Sequence, residues 1–283
     1  EGDLLEPGSY EKILEGVESV IHMAAATGKV KPKDYFKINA YATMLLLDRC
    51  KNAGVKHFLF VSSIAVSFKN KYRYFYALSK EKAEEYVKNS GLAYTIIRPT
   101  MIMGKGSPVF SGLSMLAGLP FIPVFGKGDA KIQPVHAAGV ARALVMIENN
   151  SDYKNETLEL GGPDTLTIKE FLQKIAERRG KKKPRCLRIP MGLTVFGLSI
   201  LERVVYGLLP LTVGQLASFR NDGTAENNRV MEKLLPRMKD LTQLIDDCLT
   251  TDPPPDVPEP LVNECRVFTR YFVGQEPNNY VLE

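Results

Sequence analysis

Along the first 165 residues, short and nearly continuous apolar runs alternate with longer stretches of helical periodicity. The apolar runs, which predict strands, lie at 17–26, 57–63, 93–98 and 156–160. Apolar side chains at helical spacing predict helices over 34–53 and 76–90, and Gly54 suits the end of the first. Strands and helices that alternate through short connections favour an α/β fold, in which helices cover both faces of a parallel sheet.

The pattern changes after Pro163. Thr167 and Glu170 have capping-box spacing, which predicts the start of a helix. Residues 191–217 are strongly apolar, but their longest uninterrupted stretch, Met191–Leu201, is shorter than the roughly 20 residues that span a membrane. Two interpretations stay open for 191–217: packing helices, which are the default, and contact with a membrane surface. Prolines at 253–260 predict a stiff linker, and 261–272 can form a short amphipathic helix.

Composition narrows the function classes. The 283 residues carry a net charge of +5, and the basic run 178–183 has no interleaved aromatic side chains, which favours a solvated loop over a nucleic-acid site. Four scattered cysteines and three scattered histidines predict neither a disulfide framework nor a metal site. We therefore expect a reducing, cytoplasmic compartment. The chain begins at Glu1 without a visible signal peptide, which predicts a fragment or the removal of an upstream segment.

The strongest chemical signal is a serine at the end of a predicted buried strand, followed by Tyr-x-x-x-Lys at the start of a helix. These residues are Ser63, Tyr76 and Lys80. Positions i and i+4 share a helix face, so the Lys80 ammonium is expected near the Tyr76 phenol. A nearby positive charge lowers the pKa of a phenol, which would make Tyr76 an acid or base of use near neutral pH.

Six segments in the expected order resemble the extended and atypical short-chain dehydrogenases/reductases, the NAD(P)-dependent epimerase/dehydratase family. The resemblance covers about residues 1–180. The matching segments are Gly2–Leu4, Val20–Ala25, Phe36–Thr43 with Asn39, Val55–Ser63, Tyr76–Glu84 and Arg98–Gly104. It implies a Rossmann-like doubly wound parallel sheet, NAD or NADP as cofactor, and a small-molecule substrate.

The resemblance also implies roles. Tyr76 would be the acid/base, Lys80 would lower its pKa and bind the nicotinamide ribose, and Ser63 would hydrogen-bond the substrate oxygen. The implied cofactor-binding residues are Asp3, Leu4, Met23, Ala24, Ala25, Asn39, Ser62, Tyr76, Lys80, Pro99 and Met101.

Four alternatives stay open for these residues. Tyr76 could be one more packing aromatic beside Tyr72 and Tyr74, and Ser62 could face the site instead of Ser63. Asn39 could satisfy local backbone, and Asp3 could simply be solvated.

Three departures from the family pattern affect the interpretation. The glycine-rich turn that holds pyrophosphate is not found and is expected before residue 1. The family's Val-His-Val-Asp-Asp-Val-Ala reads Val135-His-Ala-Ala-Gly-Val-Ala141 here, without either aspartate. The short gap between Ser63 and Tyr76 is similar to that of atypical members related to the accessory NADPH-binding subunit of respiratory complex I. We therefore expect an N-terminally truncated fold that binds NADH or NADPH weakly or not at all by itself.

Three parts are predicted: a partial NAD(P)-binding domain at 1–165, a helical substrate-side region at 166–250, and a proline-rich linker and tail at 251–283. The predicted function is an NAD(P)-dependent oxidoreductase or epimerase acting on a hydroxyl or carbonyl group, with a homodimer as one oligomeric state. The alternative is a non-catalytic dinucleotide-binding or assembly protein of the same fold.

Overall fold

The computed structural model describes residues 2–28, 30–205 and 213–250, without the side chains of 203–205. The predicted linker at 253–260, the predicted helix at 261–272 and the predicted tail at 251–283 lie outside the described residues.

The strands begin and end close to the apolar runs of the sequence. In chain order they are β1 (Ser19–His22), β2 (His57–Val61), β3 (Tyr94–Pro99), β4 (Ile102–Met103), β5 (Phe121–Phe125), β6 (Lys131–Ile132), β7 (Val135–His136), β8 (Glu156–Leu160), β9 (Leu166–Thr167) and β10 (Arg185–Ile189). Four of them, in the order β1-β2-β3-β8, form a sheet in which every pairing is parallel. This arrangement confirms the predicted Rossmann-like α/β fold.

The α-helices are α1 (Pro32–Tyr35), α2 (Ala42–Asn52), α3 (Phe75–Lys88), α4 (Pro108–Gly118), α5 (Ala137–Glu148), α6 (Ile168–Arg178), α7 (Met191–Val205), α8 (Arg229–Leu234) and α9 (Leu241–Leu249). The helix predicted over 34–53 is continuous but not uniform, because a π-helix at Phe36–Tyr41 separates α1 from α2. Insertions of this kind are frequent at functional sites.

Strand β2 shows why helices cover both faces of the sheet. All five of its residues are buried. Phe58 and Phe60 pack towards α2 and α3, whereas Leu59 and Val61 pack towards α5 and α8. Successive side chains on a strand point to opposite faces, so an uninterrupted apolar strand needs an apolar layer on each side.

A second core lies beyond the central sheet, where α4, α6 and α9 pack against β5. Strand β10 pairs with β5 in parallel. The predicted capping box starts α6: the Thr167 hydroxyl accepts the Glu170 amide, and Glu170 accepts the Thr167 amide in return.

The default interpretation of 191–217 as packing helices stays a prediction for α7. None of the residues 191–202 is fully buried, although most of them are apolar, and seven of the twelve are half-buried. Among the helices in the described ranges, none is both long and apolar enough to cross a membrane.

Candidate functional site

The predicted catalytic residues meet where the central strands end. The segments that follow β1, β2 and β3 leave the same edge of the sheet, and α3 begins beside them. In open parallel sheets this carboxyl edge is where ligands bind.

The structure brings Ser63 and Tyr76 together. Ser63 follows β2 and caps a short 3₁₀ helix, where its Oγ accepts the Ala65 amide at 3.2 Å. Its side chain also lies close enough to the Tyr76 phenol to lower the pKa of that phenol. Ser62 lies differently, because it is buried and its hydroxyl donates to Glu84 Oε1 at 2.6 Å. Of the two serines, Ser63 is therefore the one beside Tyr76.

Tyr76 lies in an aromatic cluster, with the Tyr74 ring 5.9 Å and the Tyr35 ring 6.3 Å from it, centroid to centroid. Burial raises the pKa of the Tyr76 phenol, the neighbouring phenols Tyr74 and Tyr35 add to this, and only Ser63 opposes it. Lys80 is not among the groups that shift this pKa, so the expected lowering by Lys80 is not found and the pKa is raised overall. At neutral pH the phenol keeps its proton.

The reason lies in where Lys80 is held. Its side chain is buried, its Nζ donates to the Val61 carbonyl at 2.6 Å, and Nζ lies 4.1 Å from the centre of the Phe60 ring. Burial lowers the pKa of Lys80 to about 7, while the charge of Glu84 works in the opposite direction. Lys80 therefore titrates near neutral pH, and its charge has no resolved effect on Tyr76.

The Asn39 side chain hydrogen-bonds to main-chain atoms of a different segment, the loop after β1. From the buried π-helix its Oδ1 accepts the Ala26 amide at 2.6 Å, and its Nδ2 donates to the Ala26 carbonyl at 3.0 Å. Nδ2 also lies 3.0 Å from the Ser79 Oγ on α3. Asn39 thus joins the loop after β1 to the helix that carries Tyr76 and Lys80.

The remaining predicted cofactor residues are spread around this edge. Asp3 closes its own turn, with Oδ1 accepting the Leu5 amide at 2.8 Å, and Leu4 packs on the α2–α3 core. Pro99 is buried at the end of β3, and Met101 packs towards the second core. The small side chains of Ala24 and Ala25 are half-buried, and Met23 is exposed.

A buried ionic network behind the site was not predicted. Glu84, one turn after Lys80, accepts the Arg98 guanidinium through both oxygens, at 2.9 and 2.6 Å. Arg98 in turn reaches Ser67 at 3.1 Å. Glu84 and Arg98 both stand in the matched segments, but only the fold shows that they face each other and hold α3 against β3.

A cavity of about 70 Å³ lies beside Tyr76 and is closed by a segment from the C-terminal half. Glu202 pairs with Arg73 at 3.3 Å and accepts the Val213 amide at 2.6 Å. Gly214 lies so close to Arg73 that an added Cβ would stand 2.4 Å from the Arg73 carbonyl oxygen. The aromatic walls of the cavity are Tyr35, Tyr74, Phe75 and Tyr76.

The two buried histidines and Lys105 are polar groups outside the Ser63–Tyr76 pair. His22 and His57 each bond to a threonine hydroxyl at 2.9 Å, Thr43 and Thr95, as structural histidines do. Within the described part of the chain, no cluster of three or more ligating side chains could hold a metal.

Lys105 follows the Arg98–Gly104 segment, and its buried Nζ has no hydrogen-bond partner among the described residues. No pattern in the sequence singles out Lys105.

Residues 1–111 match the family model described as NAD(P)H-binding. The chain is 32% identical over 151 residues to "NADH dehydrogenase [ubiquinone] 1 alpha subcomplex subunit 9, mitochondrial" of Arabidopsis thaliana. The aligned residues make up 53% of this chain and 37% of that protein. It is 28% identical over 193 residues to "Ceramide reductase" of Caulobacter vibrioides, covering 67% of this chain and 58% of that protein. The chain thus spans 37% of the length of the first of these curated relatives and 58% of the length of the second.

The fold is that of a dTDP-glucose 4,6-dehydratase from Streptomyces venezuelae solved with NAD and TYD bound. The two structures superpose with a TM-score of 0.64 and 18% identity over 87% of this chain and 76% of that one. At this identity the likeness shows the fold. Together with the NAD(P)H-binding match, it confirms the resemblance that the six sequence segments indicated and the predicted cofactor class, NAD or NADP.

Proposed function

We propose that this chain, whose residues 1–111 match the NAD(P)H-binding family model, is an oxidoreductase that reduces the carbonyl group of a small molecule. The observation that supports it best is the position of the Ser63 hydroxyl beside the Tyr76 phenol at the carboxyl edge of a parallel sheet. A hydroxyl and a protonated phenol in contact are the two groups needed to hold and protonate a carbonyl oxygen.

The residues present fit the nicotinamide half of a dinucleotide. Among the described residues, no turn or loop hydrogen bond uses the main chain of Ala24 or Ala25, and their small side chains leave room for a ligand against the loop. Within the described residues, the Lys80 side chain donates to one acceptor, the Val61 carbonyl, so its charged form has two further N–H groups for the hydroxyl groups of a ligand. We propose that Met23–Ala25 and Lys80 hold the cofactor, and that Pro99 and Met101 border it.

A bound reduced nicotinamide supplies a hydride. The protein's own part is proton transfer and positioning. Ser63 holds the substrate oxygen next to Tyr76, and the Tyr76 phenol, which burial keeps protonated, donates its proton to that oxygen as negative charge develops. With its pKa raised, the Tyr76 phenol is protonated at neutral pH, which is the form that can donate a proton to a carbonyl oxygen.

A second candidate is a non-catalytic dinucleotide-binding or assembly protein. The match to the Arabidopsis subunit of the NADH dehydrogenase complex favours it, as does the complete burial of Lys80. The predictions of a cytoplasmic location and of a homodimer stay predictions under either function.

Replacing Tyr76 with Phe separates the two candidates. The assay follows NADPH and NADH oxidation against a panel of aldehydes and ketones, and calorimetry follows cofactor binding. We expect Tyr76→Phe to lower turnover by about 10²–10⁴-fold and to leave cofactor binding intact. Tyr72→Phe is the matched control, because Tyr72 is 75% exposed and should keep full activity. Cofactor binding by the parent without turnover on any carbonyl would refute the enzyme and support the assembly protein.

A further inference from the structure

Helix α7 is an apolar helix with one face that the described structure leaves exposed. Between Met191 and Leu201 it contains no charged residue. None of these side chains is buried, and Leu193 and Phe196 are each 67% exposed, with Ile200 at 49%. Phe196 and Ile200 follow Leu193 by three and seven residues, and residues at this spacing lie on one face of a helix. Such a face is unusual on a monomer and marks a binding surface.

The segment that leads into α7 is strongly basic. From Arg178 to Arg188 the chain has seven basic residues, and no acidic residue occurs between 178 and 201. Lys182, Lys183, Arg185 and Arg188 are exposed and make no ion pair within the described ranges. Exposed apolar side chains continue here as well, with Leu187 at 55% and, on the neighbouring strand, Phe121 at 54%.

Strand β10 joins the two features rigidly. It pairs with β5 from Arg185 to Ile189, and the Gly126 amide then donates to the Ile189 carbonyl at 2.9 Å. Only Pro190 separates the strand from α7, whose first residue, Met191, packs at Gly126. The basic strand and the apolar helix therefore form one continuous element, which we call the docking element (residues 182–201).

We propose that the docking element binds the surface of a membrane that contains anionic lipids, with α7 lying in the headgroup region. An exposed apolar helix face beside uncompensated lysines and arginines has the chemistry of an interfacial anchor: the helix enters the acyl boundary and the cations meet lipid phosphates. A symmetric contact with a second copy fits less well, because it would bring two basic segments of the same sign together. This inference does not depend on the proposed function.

The proposal also gives α7 a link to the candidate site. The helix carries Glu202 near its end, and Glu202 pairs with Arg73, which precedes Tyr76 by three residues. A membrane-bound α7 would hold the closing segment of the aromatic cavity at the lipid surface.

Vesicle flotation tests the proposal on the 283-residue chain. Phosphatidylcholine vesicles with phosphatidylglycerol are compared with pure phosphatidylcholine vesicles, at low and high salt. We expect binding to the anionic vesicles that weakens in high salt, as screened charges require. The double variant Leu193→Ser/Phe196→Ser should bind at least about tenfold more weakly, because it lacks two apolar side chains that would be buried in the membrane. Lys182→Ser/Lys183→Ser should weaken binding to the anionic vesicles only.

Matched controls come from other surfaces. Ile13→Ser removes an apolar side chain that is 58% exposed, and Lys31→Ser/Lys33→Ser removes two exposed lysines; both should bind as the parent does. All substituted side chains are exposed, so unchanged thermal melting shows that each variant folds. The proposal is overturned if the parent does not bind anionic vesicles or if Leu193→Ser/Phe196→Ser binds as well as the parent. It is also overturned if the parent is a dimer that this variant dissociates while vesicle binding is absent.

Discussion

Replacing Asn39 with Ala should destabilise the protein through one identifiable loss. In the native structure the Asn39 amide satisfies both the N–H and the C=O of Ala26, at 2.6 and 3.0 Å, and both residues are almost fully buried. An alanine leaves these two backbone groups without a partner and without access to water. Each buried unsatisfied group costs about 1–3 kcal/mol. The Ser79 hydroxyl is spared, since it still donates to the Tyr76 carbonyl at 2.8 Å.

We therefore expect Asn39→Ala to lower the free energy of unfolding by about 2–6 kcal/mol, taking the two unsatisfied backbone groups together. Urea unfolding followed by far-ultraviolet circular dichroism measures it, with an unchanged m-value as the sign that only stability moved. Asn149→Ala is the control, because Asn149 also makes an amide-to-carbonyl bond, to Val145 at 2.8 Å, but on the exposed end of α5. A loss below about 0.5 kcal/mol for Asn39→Ala, no larger than that of the control, would refute the reasoning.

Two further predictions concern Lys80 and Gly214. The pKa of Lys80 is about 7 in the folded protein and near 10.5 when unfolded, so the unfolded chain binds more protons between these values and stability should rise with pH across that window. Lys80→Met should flatten this rise, as urea midpoints from pH 7 to 9.5 would show; parallel profiles for parent and variant would contradict it. Gly214→Ala should cost about 1–3 kcal/mol in the same assay, because its Cβ would meet the Arg73 carbonyl, whereas Gly112→Ala, in open space on α4, should gain about 0.5–1 kcal/mol. Equal effects of the two glycine variants would contradict the clash.

The elements were predictable wherever local periodicity and packing agree. Strand β2 is an unbroken apolar run, and it is buried on both faces. Helix α6 begins at its capping box because the bonds that start it join residues three apart. The π-helix at 36–41 was not predictable, since it follows from the position of Asn39 against Ala26 and Ser79, which are 13 and 40 residues away in sequence.

The protonation states of Tyr76 and Lys80 likewise depend on packing that helical spacing does not reveal. Spacing alone placed Lys80 one turn after Tyr76 and suggested a lowered phenol pKa. In the folded chain Lys80 is held by the Val61 carbonyl, and burial raises the Tyr76 pKa instead. Desolvation depends on everything packed around a group, including Tyr35 and Tyr74, and helical spacing carries no information about it.

The sequence by itself determined the α/β class, the order of strands and helices, and the set Ser63, Tyr76 and Lys80, because these depend on residue type and on spacing within one element. Tertiary structure decided which serine meets Tyr76, the sign of the Tyr76 shift, the Glu84–Arg98 pair and the exposure of α7. Each of these depends on surfaces that are distant in the chain and meet only on folding, and local patterns hold no record of such contacts. An apolar helix in particular has the same sequence signature whether the protein covers it or leaves it to a membrane.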